Sequence, residues 1–169
     1  MNTLPQQLAA YAAYHRDWRN IATHFVGIPA IVLSSASLLS RPAWPVAGLT
    51  LSPAVVLAAL LALYYLRLDR RFGLLMTLLL SLVLLAAARM AALPDGEWLW
   101  LCVGGFVLGW VFQLVGHVWE GRKPAFVDDI SGLAIGPLFI VFELLVLLGA
   151  CRQLASQVKA LHTPPACQA

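Results

Sequence analysis

The chain has 169 residues, of which 61% are hydrophobic and 11% charged, and a formal net charge of +3. Soluble globular domains carry about 25% charged residues, so this composition excludes an ordinary soluble domain and points to a membrane protein. The few cations inform through their positions along the chain, not as a nucleic-acid surface. The length suits one integral-membrane domain over residues 1–169.

Residues 4–19 set Leu4, Leu8, Tyr11, Ala12 and Trp18 among polar neighbours, the pattern of an amphipathic helix at a membrane surface. The stretch lacks the basic start and apolar centre of a secretory signal, which leaves the first apolar span to direct insertion. Apolar spans are expected at about 21–39, 46–66, 73–93, 98–119 and 133–150, near the roughly 20 residues a helix needs to cross a bilayer. Pro53 falls inside the second, as membrane helices tolerate. The connectors are "SRPAWP", "RLDRRFG", "LPDGEW" and "EGRKPAFVDDISG", and the tail after residue 150 is polar enough to leave the bilayer. The expected fold is all-α: a multi-pass transmembrane helical bundle of about five spans with an N-terminal amphipathic helix. Cys102, Cys151 and Cys167 are scattered, without metal-finger spacing.

Five spans put Arg16, Arg19, Arg67, Arg70, Arg71, Arg122 and Lys123 on the N-terminal side, and Arg41, Arg89, Arg152 and Lys159 on the other. That bias favours a cytoplasmic N-terminus. The same topology gathers His15, His24 and His117 at one membrane face, with Asp69, Glu120, Asp128 and Asp129 nearby, while His162 stays in the tail. Gln113, His117 and Glu120 sit at i, i+4 and i+7, one face of a helix. His15 and His24 would point apart on one unbroken helix, so a break near "DWRN" is expected, with Asn20 as the N-cap of the first span. Glu143 falls about ten residues into the fifth span, where it is expected either protonated or paired with His24 or His117.

A single histidine at an interface is ordinarily a polar tip meeting water, and Glu120 next to Arg122 and Lys123 is ordinarily an interfacial ion pair. Three histidines gathered with carboxylates read better as a metal site, since neutral imidazole is a common ligand for zinc and iron. Asn20, Gln113, Glu120 or Asp69 would then supply the polar partners that ligated imidazoles need. No phosphate loop, serine elbow or HExxH is present.

Two motifs add more. "YHRDWRNIATHFVGIP" reads H-x4-N-x3-H-x2-G-x-P, carried by His15, Asn20, His24, Gly27 and Pro29. "FQLVGHVWEGRKP" reads Q-x2-G-H-x2-E-G-x-K-P, carried by Gln113, Gly116, His117, Glu120, Gly121, Lys123 and Pro124. With "YYLRLDRRFG" between them, the chain resembles the membrane-bound 2-hydroxy fatty acid dioxygenase family of fatty acid α-oxidation, in a bacterial-type branch. Asp17 stands where that pattern more often has Asn. The resemblance implies an Fe(II)-dependent dioxygenase in a bacterial inner membrane, taking a long-chain 2-hydroxy fatty acid and O2 to the acid one carbon shorter and CO2. It implies His15, His24 and His117 as iron ligands and Glu120, Asn20 and Gln113 as supporting catalytic groups, with Arg16, Arg122 or Lys123 meeting the substrate carboxylate. Competing readings are a zinc-dependent membrane lipid hydrolase, a bis-histidine haem protein using His24 and His117, and a transporter or scaffold with Glu143 as a proton site.

Overall fold

A computed structural model describes residues 2–46 and 49–162, apart from the side chains of 46, 49 and 162. Cys167 and the His162 side chain therefore lie outside the described residues. The described chain is almost wholly helical: α1 (Leu4–Ala12), α2 (Trp18–Ser40), a hairpin of β1 (Trp44–Val46) and β2 (Leu49–Leu51), α3 (Pro53–Leu68), α4 (Arg70–Ala91), α5 (Asp95–Glu120), α6 (Ala125–Asp128), α7 (Gly132–Leu147) and α8 (Arg152–His162). Among them α2, α4 and α5 are long and apolar enough to cross a membrane, and α3 and α7 are shorter apolar helices. At 16 residues each, α3 and α7 extend about 24 Å, short of the roughly 30 Å hydrocarbon core. The chain is an all-α membrane protein, and its contacts divide it into two compact units, residues 1–25 with 113–169 and residues 26–112.

In the first unit a capping box starts α1, with the Thr3 N–H donating to Gln6 Oε1 at 2.9 Å. The apolar face of α1 is buried at Leu4, Leu8 and Tyr11, and α1 packs against α7 and α8. Its amphipathic pattern thus covers protein as well as facing outward. The helix stops at Ala12, short of the expected residue 19, and residues 13–17 form a turn before α2 begins at Trp18. The tail after residue 150 begins with α8, which buries Val158. Gly149, at φ +74°, ends the preceding segment in the left-handed region that glycine adopts freely.

In the second unit the expected span 46–66 is corrected: Trp44–Val46 pairs antiparallel with Leu49–Leu51, Trp44 opposite Leu51, and the helix starts at Pro53. Proline lacks the N–H that a first helical residue leaves unused, and Ser52 caps the helix by accepting from the Val55 N–H. Pro53 is therefore a start signal, not a tolerated interior residue. Arg41 organises the turn between α4 and α5. It donates to the Ala91 and Leu93 carbonyls, pairs with Asp95 at 2.6 Å and lies 3.8 Å from the centre of the Trp98 ring. Asp69, grouped in the sequence reading with the site carboxylates, caps α4 by accepting from the Phe72 N–H at 2.8 Å.

Helices α3 and α4 meet where Gly73 lies against the backbone of Leu66. A Cβ on Gly73 would come within 2.5 Å of the Leu66 Cα, so the close approach requires a residue without a side chain. Gly73→Ala is expected to cost about 1–3 kcal/mol through overpacking, seen as a lower thermal midpoint in detergent. Gly104→Ala is the control: a Cβ there meets nothing within 4 Å, and the helix gains up to about 1 kcal/mol of propensity.

Candidate functional site

The first unit brings His15, His24 and His117 together, with one ligating atom from each within 4.8 Å of the others. All three are buried, at 4%, 1% and 6% exposure. His15 sits in the turn at 13–17, His24 in the second turn of α2 and His117 in the last turn of α5. The break expected near "DWRN" is present, and it turns His15 toward His24 across nine residues.

Each of the first two rings is oriented by a backbone carbonyl. His15 Nδ1 lies 2.9 Å from the Tyr11 oxygen and His24 Nδ1 lies 2.8 Å from the Asn20 oxygen. A carbonyl only accepts, so both Nδ1 atoms carry the proton and both Nε2 atoms present lone pairs. Tyr11 offers its carbonyl because the last turn of a helix leaves carbonyls without intrahelical partners. Its ring also stacks on His15 at 4.3 Å and 7°, and Phe139 of α7 packs beside both rings, 5.0 Å from Tyr11 and 5.6 Å from His15.

The two Nε2 atoms lie 3.0 Å apart. With both Nδ1 atoms protonated, two neutral rings have no hydrogen to share across that gap. Holding one ring as imidazolium is opposed by burial, which lowers the His15 pKa to about 4 against the pull of the Tyr11 carbonyl. A divalent cation would resolve the conflict. Metal–nitrogen bonds of about 2.1 Å at about 90° put two nitrogens roughly 3.0 Å apart. The His117 Nδ1 atom is buried without a hydrogen-bond partner, a further lone pair or N–H awaiting one. The residues present fit a metal held by three imidazoles. They do not fit haem between His24 and His117: those rings are 5.1 Å apart, and His15 lies against both, leaving no slot for a porphyrin.

The approach of α5 to α2 rests on Gly116. A Cβ there would fall 2.2 Å from Thr23 Oγ1 and 2.4 Å from Asn20 Oδ1, so glycine is what lets His117 reach His24.

Glu120 does something the sequence reading did not foresee. The expectation was that it would back His117 on its own helix. Instead its carboxylate accepts from the Arg16 N–H at 2.9 and 3.0 Å, the Asp17 N–H at 2.9 Å and Asn20 Nδ2 at 3.1 Å. It fastens the turn bearing His15 to the end of α5. Asn20 is not the N-cap: α2 starts two residues earlier and Asp17 takes that role, accepting from the Arg19 N–H at 2.9 Å. Gln113 is buried one turn before His117, with Nε2 unpartnered.

The remaining cations are placed differently from expectation. Arg122 donates to the Ala13 carbonyl at 3.0 Å, and Lys123 pairs with Asp128. Asp128 also accepts from the Tyr14 hydroxyl at 2.9 Å. These contacts hold the His15 turn from its other side. Asp128 was expected on the histidine side of the membrane, but the part played by Tyr14 and the stacking role of Tyr11 were not foreseen, although Tyr11 and His15 stand at helical i, i+4 spacing. Glu143 makes no hydrogen bond or ion pair with His24 or His117 among the described residues.

The family model for Mpo1-like proteins, described as 2-hydroxy-palmitic acid dioxygenase Mpo1-like, matches residues 1–148. This chain belongs to the Mpo1-like family. It is 35% identical over 150 residues to the 2-hydroxy-palmitic acid dioxygenase MPO1 of Saccharomyces cerevisiae, covering 86% of this chain and 82% of the yeast protein. No solved structure matches it significantly. The matched region contains all three histidines and Glu120.

Two outcomes follow from this geometry. The first concerns pH. His15 titrates near 6.5 when unfolded and near 4 when folded, so the unfolded state binds the proton more readily. The stability of the metal-free protein should hold above about pH 6.5 and fall by roughly 3 kcal/mol as pH drops to about 4. His15→Phe should flatten that slope in thermal unfolding; an unchanged slope contradicts the assignment. The second concerns seating. Glu120→Ala should weaken Zn2+ or Co2+ binding by roughly 10–100-fold, measured by chelator competition, and Glu120→Gln should lose less because one acceptor oxygen remains.

Proposed function

We propose that this chain is an Fe(II)-dependent dioxygenase that converts long-chain 2-hydroxy fatty acids to the acid one carbon shorter. The observation that carries the reading is the facing pair of imidazole lone pairs, 3.0 Å apart and joined by a third buried histidine. Identity to a yeast protein named for 2-hydroxy-palmitic acid supports the substrate class. The reaction balances with O2 alone: R–CH(OH)–COOH and O2 give R–COOH, CO2 and water, with no reductant or 2-oxoglutarate.

His15, His24 and His117 would hold the iron. When bound, it would supply O2 activation and a Lewis acid for the hydroxyl and carboxylate oxygens of the substrate. The carbonyls of Tyr11 and Asn20 keep both Nδ1 atoms protonated, so the rings stay neutral and aimed. Glu120 holds His15 within reach by gripping the N–H groups of the next two residues. Gln113 Nε2 remains as a buried donor one turn from His117, suited to a substrate or oxygen atom that accepts. The acyl tail is matched by the apolar flanks of the long helices, each buried CH2 contributing roughly 0.8 kcal/mol. The setting proposed is a bacterial inner membrane with the N-terminus cytoplasmic, following the arginine bias.

Purified with Fe(II), the protein should take up O2 with a 2-hydroxy fatty acid and release the shortened acid and CO2. The unhydroxylated acid should be inert and lactate weakly bound. His15→Ala, His24→Ala and His117→Ala should each lose bound iron and turnover, while His162→Ala keeps both. Iron-loaded protein that consumes no O2 across a range of 2-hydroxy acid chain lengths would defeat the proposal.

A further inference from the structure

Four cations lie around the end of the first unit formed by the start of α2, the end of α5 and the following loop, and three are already engaged. Arg19 grips Asp17 through Nε and Nη2, the latter at 2.7 Å, and lies 5.5 Å from the centre of the Trp119 ring. Arg122 donates to the Ala13 carbonyl and Lys123 pairs with Asp128. The Arg16 guanidinium has no hydrogen bond or ion pair among the described residues; only its backbone N–H is used, by Glu120. Arg16 follows His15 directly in the chain, and its residue is exposed where His15 is buried.

Arg16 lines an open recess of about 620 Å3 with Asp17, Trp18, Arg19, Trp119 and Glu120. Trp18 is 74% exposed and Trp119 45%. They stand at the ends of two membrane-length helices, where indole rings occupy the headgroup level. The formal charges of the recess cancel, two arginines against Asp17 and Glu120. Both acids are satisfied, Asp17 by Arg19 and Glu120 by three N–H donors. Such a recess does not draw polyanions. It offers one unspent guanidinium, a planar fork matched to a carboxylate, beside two aromatic faces suited to the first carbons of an apolar chain.

We infer that Arg16, Trp18 and Trp119 form a docking site for the carboxylate of an unesterified fatty acid, hydroxylated or not, beside the three histidines and distinct from them. The inference rests on the proposed function only for the acid being a fatty acid. An acid held there lies at the membrane surface next to the His15 turn, in position to move inward as substrate or outward as product.

The test uses the full-length, metal-free protein in a nonionic detergent, titrated calorimetrically with dodecanoate and with its methyl ester. Dodecanoate should bind and the ester should not. Arg16→Gln should weaken dodecanoate binding at least about tenfold, as loss of a charge-assisted hydrogen bond does, and Arg16→Lys should restore part of it. Arg71→Gln, which removes an exposed cation from the second unit, should change nothing. Zn2+ titration of Arg16→Gln should match the parent, showing that the histidines remain in place. Unchanged dodecanoate binding in Arg16→Gln overturns the site, as does equal loss of Zn2+ binding, which makes Arg16 structural. Arg16-dependent binding to phosphatidylglycerol vesicles without Arg16-dependent dodecanoate binding assigns the recess to phospholipid and also overturns it. Because no iron or turnover enters, failed O2 uptake with intact Arg16-dependent binding removes the proposed function alone; the reverse pattern removes the docking site alone.

Discussion

Two imidazole lone pairs held face to face in a buried space are the constraint around which the first unit is built. Left alone they repel, and burial opposes the proton that would reconcile them. Their persistence in this arrangement needs firm supports on both sides, and each support is identifiable. The Tyr11 and Asn20 carbonyls fix the rings, the adjoining Tyr11 and Phe139 rings pack against His15, and Glu120 anchors the turn that carries it. The Tyr14–Asp128 bond is an exposed single tie, whereas the Glu120 carboxylate gathers three N–H donors in a half-buried position, so the carboxylate grip matters more than the outer ties. Electrostatic tension of this kind would be relieved by a bound cation, and it makes the supports of the site as important as the three imidazoles.

Much of this was legible in the residues. Continuous hydropathy located α2, α4 and α5, because a membrane helix must be apolar along its whole length. The meeting of His15, His24 and His117 followed from counting spans and from the need for a bend before α2. The hairpin at 44–51 was missed because its residues are as apolar as a span; only the positions of Pro45 and Pro53 separate the two readings, and proline is permitted inside membrane helices. The N-cap role expected of Asn20 and the partner expected for Glu120 differ from the structure for a related reason. Spacing along one helix links Glu120 to His117, whereas the N–H groups it accepts come from a turn 104 residues away. Backbone donors leave no mark in sequence pattern, since every residue but proline has one. The cations were equally ambiguous: Arg16, Arg122 and Lys123 look alike as letters, and only their partners distinguish the engaged from the unspent.

Small residues decide where the helices of each unit can approach. Gly116 against Asn20 and Thr23, and Gly73 against Leu66, are positions where a single methyl group meets atoms already in place. In lipid, where apolar burial gives helices little reason to associate, such close backbone approaches are a principal source of packing energy. At Gly116 that general device acquires a local purpose, because the same contact sets the distance between two imidazoles.

The long separation between Glu120 and the turn it holds also bears on biogenesis. The carboxylate that seats His15 is synthesised about a hundred residues after it. Until α5 has been made and inserted, the nascent chain carries His15 and His24 without the third imidazole or the clamp. A pair of unclamped histidines binds divalent ions weakly and releases them readily. A seat of three imidazoles would therefore exist only once α5 has been made and has reached α2.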